Sequence, residues 1–327
     1  KIMKKLLLFF SLFSIIAFTN QSCKKGCTDS TACNYNSGAK KNDGTCTLAG
    51  TWYEDADGDG KGNPAVAIEA CEQPAGYVSN STDASDIPVA KKQRATMIYN
   101  GATWCGPCGD NGEPAKAYLK STYSGDAVLL SIQDGDDIST SSEAGPKFSQ
   151  VFSTFSSVTS IPHAWYAGHG YTMTHGGFSS SASSNNSTID SKVTAIKANA
   201  PSVGIGAVAS RSGNTIKVNT KAIFYNATST QHYIGVYLLE DGINAFQTGP
   251  EANTDHNNVL RAKGNGSVGD LGLISMGTSF TANQTVEGVY TITASSSWNA
   301  SKFKVVVLVW EGNTADKICN AVEVSIK

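Results

Sequence analysis

The alternation of hydrophobic and polar residues predicts a mixed α/β region followed by a region of strands alone. From about Val89 to Ala200, short apolar runs alternate with segments of helical period. Asn186 or Ser187 is the expected N-cap of the last helix in this region. The expected elements, in chain order, are strand Ala95–Tyr99, helix Pro114–Tyr123, strand Ala127–Ile132, helix Pro146–Phe155, strands His163–Ala167 and Tyr171–His175, and helix Ser187–Asn199.

After Pro201 the period changes to two, which predicts strands with one buried face. Gly, Asn and Ser residues mark the turns between them. Roughly seven short strands over about 125 residues are typical of a β-sandwich. The expected strands are Val203–Ala209, Thr215–Tyr225, Tyr233–Glu240, Gly288–Ala294, Lys302–Val309 and Asn320–Ile326.

The first residues have the pattern of an export signal. Lys1, Lys4 and Lys5 precede the apolar run Leu6–Phe18, which is too short for a comfortable membrane span. A small residue directly before Cys23 resembles a bacterial lipoprotein cleavage site, so we expect cleavage there and acylation of the cysteine, with palmitate among the acyl groups. The alternative is ordinary signal-peptidase cleavage, with Cys23 as one more disulfide partner. In either case the mature chain leaves the cytoplasm.

Composition adds limits on size and partners. A length of 327 residues favours two or more globular units. The formal net charge is −2 and 16% of the residues are charged, which argues against nucleic acid or an anionic membrane surface as the main partner. Membrane attachment is therefore expected through the N-terminal lipid.

Four cysteines crowd a short N-terminal region that has no apolar period. Residues 24–50 cannot build a hydrophobic core, so covalent cross-links are expected to hold them. A zinc site is the weaker interpretation, because no second CxxC pair is present and the five histidines are scattered. Two disulfides are expected, in any of three pairings, among Cys27, Cys33, Cys46 and Cys71.

Alternating carboxylates follow, with glycines between them that permit a tight turn. Carboxylates at alternate positions point toward a common centre, as in calcium-binding loops. The twelfth position is Val66 rather than the Glu of an EF-hand, and the segment resembles thrombospondin type 3 repeats, in which later aspartates complete the cage. That resemblance implies calcium as the cofactor, whereas a solvated acidic loop is the alternative. The implied ligands are Asp55, Asp57, Asp59, Asp83 and Asp86.

The same resemblance bears on the disulfides. In related segments a cysteine usually follows the aspartate equivalent to Asp83, but Ala84 occupies that position here. Cys71 is therefore expected to take a different partner, such as Cys33. Cys319, near the C-terminus, is left without an assignment.

The segment Trp104–Cys108, which reads WCGPC, carries more chemistry than any other pentapeptide of the chain. Two cysteines separated by two residues at a junction between a strand and a helix can close a small reversible disulfide. The helix amides favour the thiolate form of Cys105, which is the nucleophilic form.

The order strand, WCGPC, helix, strand and an Ile-Pro that opens a hairpin resembles the thioredoxin family. The resemblance implies that Cys105 attacks and Cys108 resolves, that Trp104 shields the site, and that a cis-proline at Pro162 holds substrate. A CGPC centre is usually reducing in that family.

The sequence departs from the thioredoxin pattern at three positions. Tyr99 replaces a buried aspartate that relays protons, and Pro114 falls one residue later than the usual helix proline. His163 follows the Ile-Pro where threonine is common, so its imidazole is a candidate for proton handling. A hydrogen-bonded surface histidine is the alternative.

The order of the two regions narrows the resemblance. Residues 89–200, followed by a sandwich containing Ile234–Gly242 and His256–Arg261, resemble the 28-kDa outer-membrane-protein family of Bacteroidota. This implies an α/β thioredoxin-like domain plus an all-β immunoglobulin-like sandwich, preceded by a small disulfide-rich, calcium-loop region. The expected domains are signal peptide 1–22, Cys-rich spacer 23–50, calcium-binding-like segment 51–88, thioredoxin-like domain 89–200 and β-sandwich 201–327. Ion pairs at strand ends are the expected role of Glu240, Asp241, His256 and Arg261, and a polar functional site is the alternative.

Two functional hypotheses follow. The first is a lipid-anchored, extracytoplasmic thiol–disulfide oxidoreductase whose partners are protein thiols or disulfides. The second is a non-catalytic outer-membrane lipoprotein that serves as a scaffold for outer-membrane protein partners, with Cys105–Cys108 as a stable local disulfide. Lys24 and Lys25 follow Cys23 in place of an acidic run, which favours the periplasmic face over the cell surface.

Overall fold

The computed structural model describes residues 23–83, 85–136, 138, 160–266, 271–312 and 317–327. The expected export signal and the helix expected at Pro146–Phe155 lie outside the described residues. The chain forms two compact units. One runs to Glu54 and includes Lys61–Thr82, and the other consists of Asp55–Gly60 and Asp83–Lys327.

The first unit is held by cross-links and short strands. Disulfides join Cys27 to Cys46 and Cys33 to Cys71. Its strands are β1 (Lys25–Gly26), β2 (Lys41–Asn42), β3 (Gly50–Glu54), β4 (Ala67–Ala70) and β5 (Tyr77–Val78). Strand β2 pairs parallel with β1, and β3 lies between β4 and β5.

The second unit contains the other described elements. Its first half has strands β6 (Ala95–Gly101), β7 (Ala127–Gln133), β8 (His163–Gly168) and β9 (Tyr171–Gly177), a π-helical turn (Cys108–Gly112), and helices α1 (Glu113–Thr122) and α2 (Ala182–Lys197). Its second half has strands β10 (Val203–Ser212), β11 (Thr215–Phe224), β12 (His232–Glu240), β13 (Ile243–Gln247), β14 (Ala252–His256), β15 (Val259–Lys263), β16 (Ile274–Gly277), β17 (Gln284–Thr293), β18 (Phe303–Glu311) and β19 (Lys317–Ser325), with a 3₁₀ turn (Ala300–Lys302).

One large sheet joins the two halves of this unit. Of the described strands, nine belong to it, in the order β19-β18-β12-β15-β7-β6-β8-β9 with β16 beside β12. The halves meet where β15 pairs parallel with β7, and the Ser131 N–H donates to the Asn258 carbonyl across 2.8 Å. A second sheet has the order β10-β11-β17, and β13 and β14 form a separate hairpin.

The two faces of β6 lie in different cores. Met97 and Tyr99 pack with Leu119 of α1 and with apolar residues of α2. Ile98 points to the opposite face, where it belongs to a cluster with Leu308 of β18 and other strand residues. A third core fills the space between the β10-β11-β17 sheet and the other face of β12, β18 and β19. Within the described residues, helices therefore pack on only one face of β6.

The expected fold class is wrong. The described residues are mostly β, with two α-helices, and they do not form an α/β thioredoxin-like domain beside a separate immunoglobulin-like sandwich. The physical reason lies in β7, which is buried along its whole length. An open edge on such a strand would leave unpaired peptide groups, and β15 pairs with part of that edge. The two regions thereby become one sheet.

Most of the individual elements agree with the sequence pattern. Strands β6 to β12 and β17 to β19 and helix α1 lie where the periodicity predicts them, within a few residues at their ends. Helix α2 begins earlier than expected, because Ser181 rather than Asn186 or Ser187 is its N-cap and accepts from the Ser184 N–H. The buried Asn185 side chain also bonds both backbone groups of Ser179, which stabilises that first turn. Strands β13 to β16 are not predicted by the sequence pattern.

Candidate functional site

The CxxC segment follows the end of β6 and leads into the π-helical turn. Cys105 and Cys108 form a disulfide, with their Cα atoms 5.2 Å apart. The Cys108 N–H donates to Cys105 Sγ across 3.2 Å, and the carbonyl oxygen of Ile161 lies 3.7 Å from the same sulfur. The Ile161–Pro162 peptide is cis. The structure thus brings Cys105, Cys108 and the Ile-Pro segment together.

Access to the disulfide is uneven. Trp104 is 57% exposed, and its indole N–H donates to the Asp134 carbonyl across 3.2 Å. Cys105 is only 6% exposed and Cys108 is fully buried. Both cysteines are therefore buried, and Cys105 is the more exposed of the two.

The tip of the β13–β14 hairpin is hydrogen-bonded to the CxxC loop. The Gln247 side-chain amide donates to the carbonyls of Cys105, at 3.0 Å, and Thr103, at 3.1 Å. The Thr248 backbone N–H also donates to the Thr103 carbonyl across 2.8 Å. Gln247 is 1% exposed, so these bonds are shielded from water. The hairpin holds the loop that carries Cys105.

Two glycines let the hairpin approach this closely. A Cβ on Gly109 would lie 2.5 Å from Pro250 Cδ and from the Thr248 carbonyl oxygen. Gly249 has a φ of +112°, and a Cβ there would lie 2.5 Å from the Gly106 carbonyl oxygen. Only glycine fits both positions without displacing backbone.

A buried charged cluster lies on helix α1, directly after the CxxC turn. Glu113 and Lys116 form an ion pair with a closest N–O distance of 2.7 Å. Lys116 Nζ also donates to Ser131 Oγ across 3.1 Å and lies 4.7 Å from the centre of the Tyr99 ring. The fully buried His256 brings Nδ1 to 3.3 Å from Glu113 Oε1. This cluster connects β14, α1 and β7.

The cluster sets the charge state of its members. Burial alone would raise the pKa of Glu113, but the Lys116 charge and the hydrogen bond with His256 outweigh it and lower that pKa. Burial, followed by the negative charge of Glu113, raises the pKa of Tyr99 well above 10.0. Tyr99 therefore stays neutral, and Glu113 is the ionised carboxylate in this region.

His163 faces a second histidine. Its Nε2 lies 2.9 Å from His175 Nδ1, and its ring stacks at a tilt against Trp165, with 4.9 Å between ring centres. Burial, and then the neighbouring His175, lowers the pKa of His163. This imidazole is neutral near pH 7 and lies next in sequence to Pro162.

The acidic residues of the expected calcium loop lie close together in the second unit. Ligand oxygens of Asp55, Asp57 and Asp59 lie within 4.8 Å of one another, and so do those of Asp57, Asp83 and Asp86. Asp55 accepts from the N–H groups of the loop it closes, at Gly58, Asp59 and Gly60, and Asp86 accepts from those of Ala56 and Asp57. The turn expected from the glycines is formed.

The donor chemistry of this cluster fits a hard cation. Asp83 is 7% exposed, and its Oδ2 makes no hydrogen bond within the described residues. Lys221 forms an ion pair with Asp57 and supplies one positive charge. Burial lowers the pKa of Lys221, but the bond and charge of Asp57 outweigh it and raise that pKa. The carboxylates of the cluster outnumber the Lys221 ammonium, and carboxylate oxygens are among the ligands that Ca²⁺ prefers.

The other predicted residues fall at separate places. Cys23 is exposed and carries a free thiol. The expectation of ion pairs is confirmed for Glu240, Asp241 and Arg261, since Arg261 pairs with Glu240 at 3.0 Å and Asp241 pairs with Lys304 at 2.8 Å. His256, expected in the same network, lies instead against Glu113 of helix α1.

Sequence reasoning missed Gln247, Gly109 and the role of Glu113. Gln247 ends a short strand in a polar stretch without a clear period, so nothing local marks it as buried. Gly109 directly follows the CxxC, and a glycine there is a signal of close backbone approach. Glu113 is in the first turn of helix α1, directly before Pro114, where an acidic residue is expected simply because it stabilises the N-terminus of a helix.

Part of the chain matches a known protein family. A family model described as outer membrane protein Omp28 matches residues 176–327. This part of the chain matches the Omp28 outer membrane proteins. The resemblance drawn from the sequence is confirmed there, and Gln247 and His256 both lie within the matched residues. No curated protein sequence matches the chain.

Two solved structures are similar in part. HBP35 of Porphyromonas gingivalis superposes with a TM-score of 0.56 at 12% identity, covering 72% of this chain and 76% of that one. A DUF3823 family protein from Bacteroides ovatus gives a TM-score of 0.23 at 14% identity, covering 39% of this chain and 57% of that one. The first shows a shared fold and the second is too dissimilar to bear on it. Within the described residues, none of the helices combines the length and hydropathy needed to cross a membrane.

Proposed function

We propose that this protein is an extracytoplasmic thiol–disulfide oxidoreductase of the outer membrane that acts through Cys105 and Cys108. The observation that carries the proposal is the Cys108 N–H directed at Cys105 Sγ across 3.2 Å. In the reduced protein this donor favours a thiolate on Cys105, which is the nucleophilic form. The exposed Trp104 beside it offers an apolar surface to a partner chain.

Reduction of a partner disulfide takes two exchange steps. In the reduced protein, the Cys105 thiolate attacks one sulfur of a partner disulfide, forms a mixed disulfide and releases the other partner sulfur as a thiolate. Cys108 then loses its proton to solvent or a nearby base and attacks Cys105 Sγ. The Cys105–Cys108 disulfide forms, and the partner leaves as a dithiol that carries two electrons. An external dithiol reductant restores the reduced protein.

The mixed disulfide provides the test. The Cys108→Ser variant, incubated with a disulfide-containing peptide, is expected to accumulate a covalent complex that reducing agent dissolves. The Cys105→Ser variant is the matched control and is expected to form none. A Cys108→Ser protein that stays free of mixed disulfide, together with a wild-type disulfide of potential well below about −300 mV, overturns the proposal.

The scaffold function is the second candidate, and the low exposure of Cys105 under the Gln247 hairpin favours it. On this alternative, Cys105–Cys108 is a structural cross-link and the partners are outer-membrane proteins. The same trap separates the two functions, because a structural disulfide gives no mixed disulfide and resists dithiols.

Attachment and calcium are further parts of the proposal. We propose a lipid on Cys23, which is exposed and free in the structure, with the chain facing the periplasm. Palmitate labelling that is lost in Cys23→Ser, and protection from protease added to intact cells, are the expected results. Asp55, Asp57, Asp59, Asp83 and Asp86 would hold Ca²⁺, which would neutralise their charge and stiffen the loop.

A further inference from the structure

Cys319 is the cysteine that neither the disulfides nor the expected lipid site uses. Its thiol is free and its side chain is 1% exposed. Sγ lies 3.7 Å from Glu311 Oε2 at the end of β18. A buried thiol against a carboxylate is an unusual arrangement for a residue that only fills a core. A carboxylate and an ionised thiol are both metal ligands, so the pair is a candidate metal site.

A third ligand side chain reaches the same point. His169 lies in the turn between β8 and β9, and its backbone N–H donates to the Cys319 carbonyl across 3.1 Å. One ligand atom each from His169, Glu311 and Cys319 lies within 4.8 Å of the other two. Glu311 and Cys319 lie on the adjacent strands β18 and β19, and His169 comes from a distant segment, so strand pairing within the sheet brings the three together.

The local backbone explains why these side chains converge. In the β18–β19 pairing Asn320 is opposite Val309 and Ile318 is opposite Trp310, which leaves Cys319 as the extra residue of a bulge. Bulges redirect a side chain and recur beside functional sites. Gly170, with a φ of +68°, lets the hairpin turn tightly at His169.

The donor set selects the class of metal. Thiolate, imidazole and carboxylate together are typical zinc ligands, whereas Ca²⁺ and Mg²⁺ take oxygen alone. Burial, followed by the charge of Glu311, raises the pKa of Cys319 in the metal-free chain. Lys317 on the same strand opposes that shift to a lesser degree. A divalent ion would balance the thiolate and the carboxylate together.

We propose that His169, Glu311 and Cys319 form a zinc site with a water molecule as the fourth ligand. Its ligands are separate from the CxxC centre and from the acidic loop. His169 and Glu311 are half-buried, so the ion has a route from solvent.

Cobalt substitution tests the site, because a thiolate–cobalt bond absorbs in the near ultraviolet. The full chain is used in its oxidised form with Cys23→Ser, so that Cys319 is the remaining free thiol. We expect binding of Co²⁺ with a thiolate charge-transfer band, and displacement of Co²⁺ by Zn²⁺. Cys319→Ser is expected to abolish the band, and His169→Gln and Glu311→Gln to weaken Zn²⁺ binding at least about tenfold.

The control is His175→Gln, which removes a histidine from the adjacent strand and should leave the band and the affinity unchanged. His169→Gln lies in a surface turn, so it reports on binding even if a Cys319 variant folds poorly. Absence of the thiolate band in the Cys23→Ser protein overturns the site. Zn²⁺ affinity that is unchanged by both Cys319→Ser and His169→Gln does so equally.

Discussion

The side-chain amide of Gln247 donates to the carbonyl oxygen of Cys105 across 3.0 Å. Gln247 lies in the part of the chain that matches the Omp28 family, and Cys105 lies outside it. The family-matched strands therefore supply a contact that holds the CxxC loop.

Replacing Gln247 with alanine should loosen this loop. The change removes one donor from each of the carbonyls of Cys105 and Thr103, which keep backbone donors at Cys108 and Thr248, so we expect a loss of about 0.5–1.5 kcal/mol of the free energy of unfolding. We also expect faster reduction of the Cys105–Cys108 disulfide by a small dithiol. Urea denaturation and a reduction time course measure both effects. Phe246→Ala on the same hairpin is the control, because Phe246 is half-exposed, and equal effects of the two variants would contradict the role given to Gln247.

The Glu113–Lys116 pair should contribute more to stability than a more exposed pair. Glu113→Gln leaves the Lys116 ammonium buried without its counter-charge, and loss of one partner of a buried pair costs about 3–5 kcal/mol. Glu323→Gln removes the partner of Lys120 in a partly exposed pair, where about 1 kcal/mol or less is expected. Denaturant unfolding of the two variants compares them, and a Glu113→Gln cost no larger than that of Glu323→Gln would refute the prediction.

Stability should fall as the pH drops below about 6.5. Burial and His175 lower the pKa of His163 below its ordinary value of 6.5, so the unfolded chain binds more protons than the folded chain in this window. The stability is fully present above that pH and is lost as the pH falls. Thermal unfolding between pH 7.5 and about pH 5 measures the slope. His163→Gln should flatten it, and a variant with the wild-type slope would assign the dependence elsewhere.

Calcium should protect the acidic loop. Added Ca²⁺ is expected to slow proteolysis within residues 51–87, and chelator should reverse the effect. Asp83→Asn should weaken Ca²⁺ binding about tenfold or more, since its buried Oδ2 is otherwise without a hydrogen bond in the described part of the chain. Asp43→Asn, an exposed aspartate away from the cluster, is the control. Proteolysis that is indifferent to chelator would exclude the calcium site.

The sequence predicts local elements well because their signals are local. Apolar runs such as Ala95–Tyr99 and Ala127–Ile132 become β6 and β7 because each run carries its own periodicity. The pairing of β7 with β15 could not be predicted, since Ser131 and Asn258 are joined through one backbone bond and no pattern links them. The apolar face of β6 that contains Ile98 packs against other strands, but its sequence is equally compatible with packing against a helix.

In the candidate site, too, some residues have a local sequence signal and others are brought in only by packing. Cys105, Cys108 and Pro162 are recognisable because the chemistry requires those residue types at those spacings. Gln247 and His256 act only through burial, which comes from packing against the CxxC loop and α1. The cluster of His169, Glu311 and Cys319 depends on a turn and a bulge whose positions are fixed by strand register, a property of the assembled sheet.

The bond between Ser131 and Asn258 also sets an order of folding for the growing chain. The chain emerges from its N-terminus, so the strands around Cys105 appear well before the partner that completes their sheet. Until β15 arrives, β7 presents an open edge and Ile98 and Leu130 face water. Cys105 and Cys108 are therefore oxidised either before the sheet is complete or only after the last strands have paired. A protein cut near residue 200 would lack β15 and is expected to aggregate rather than fold.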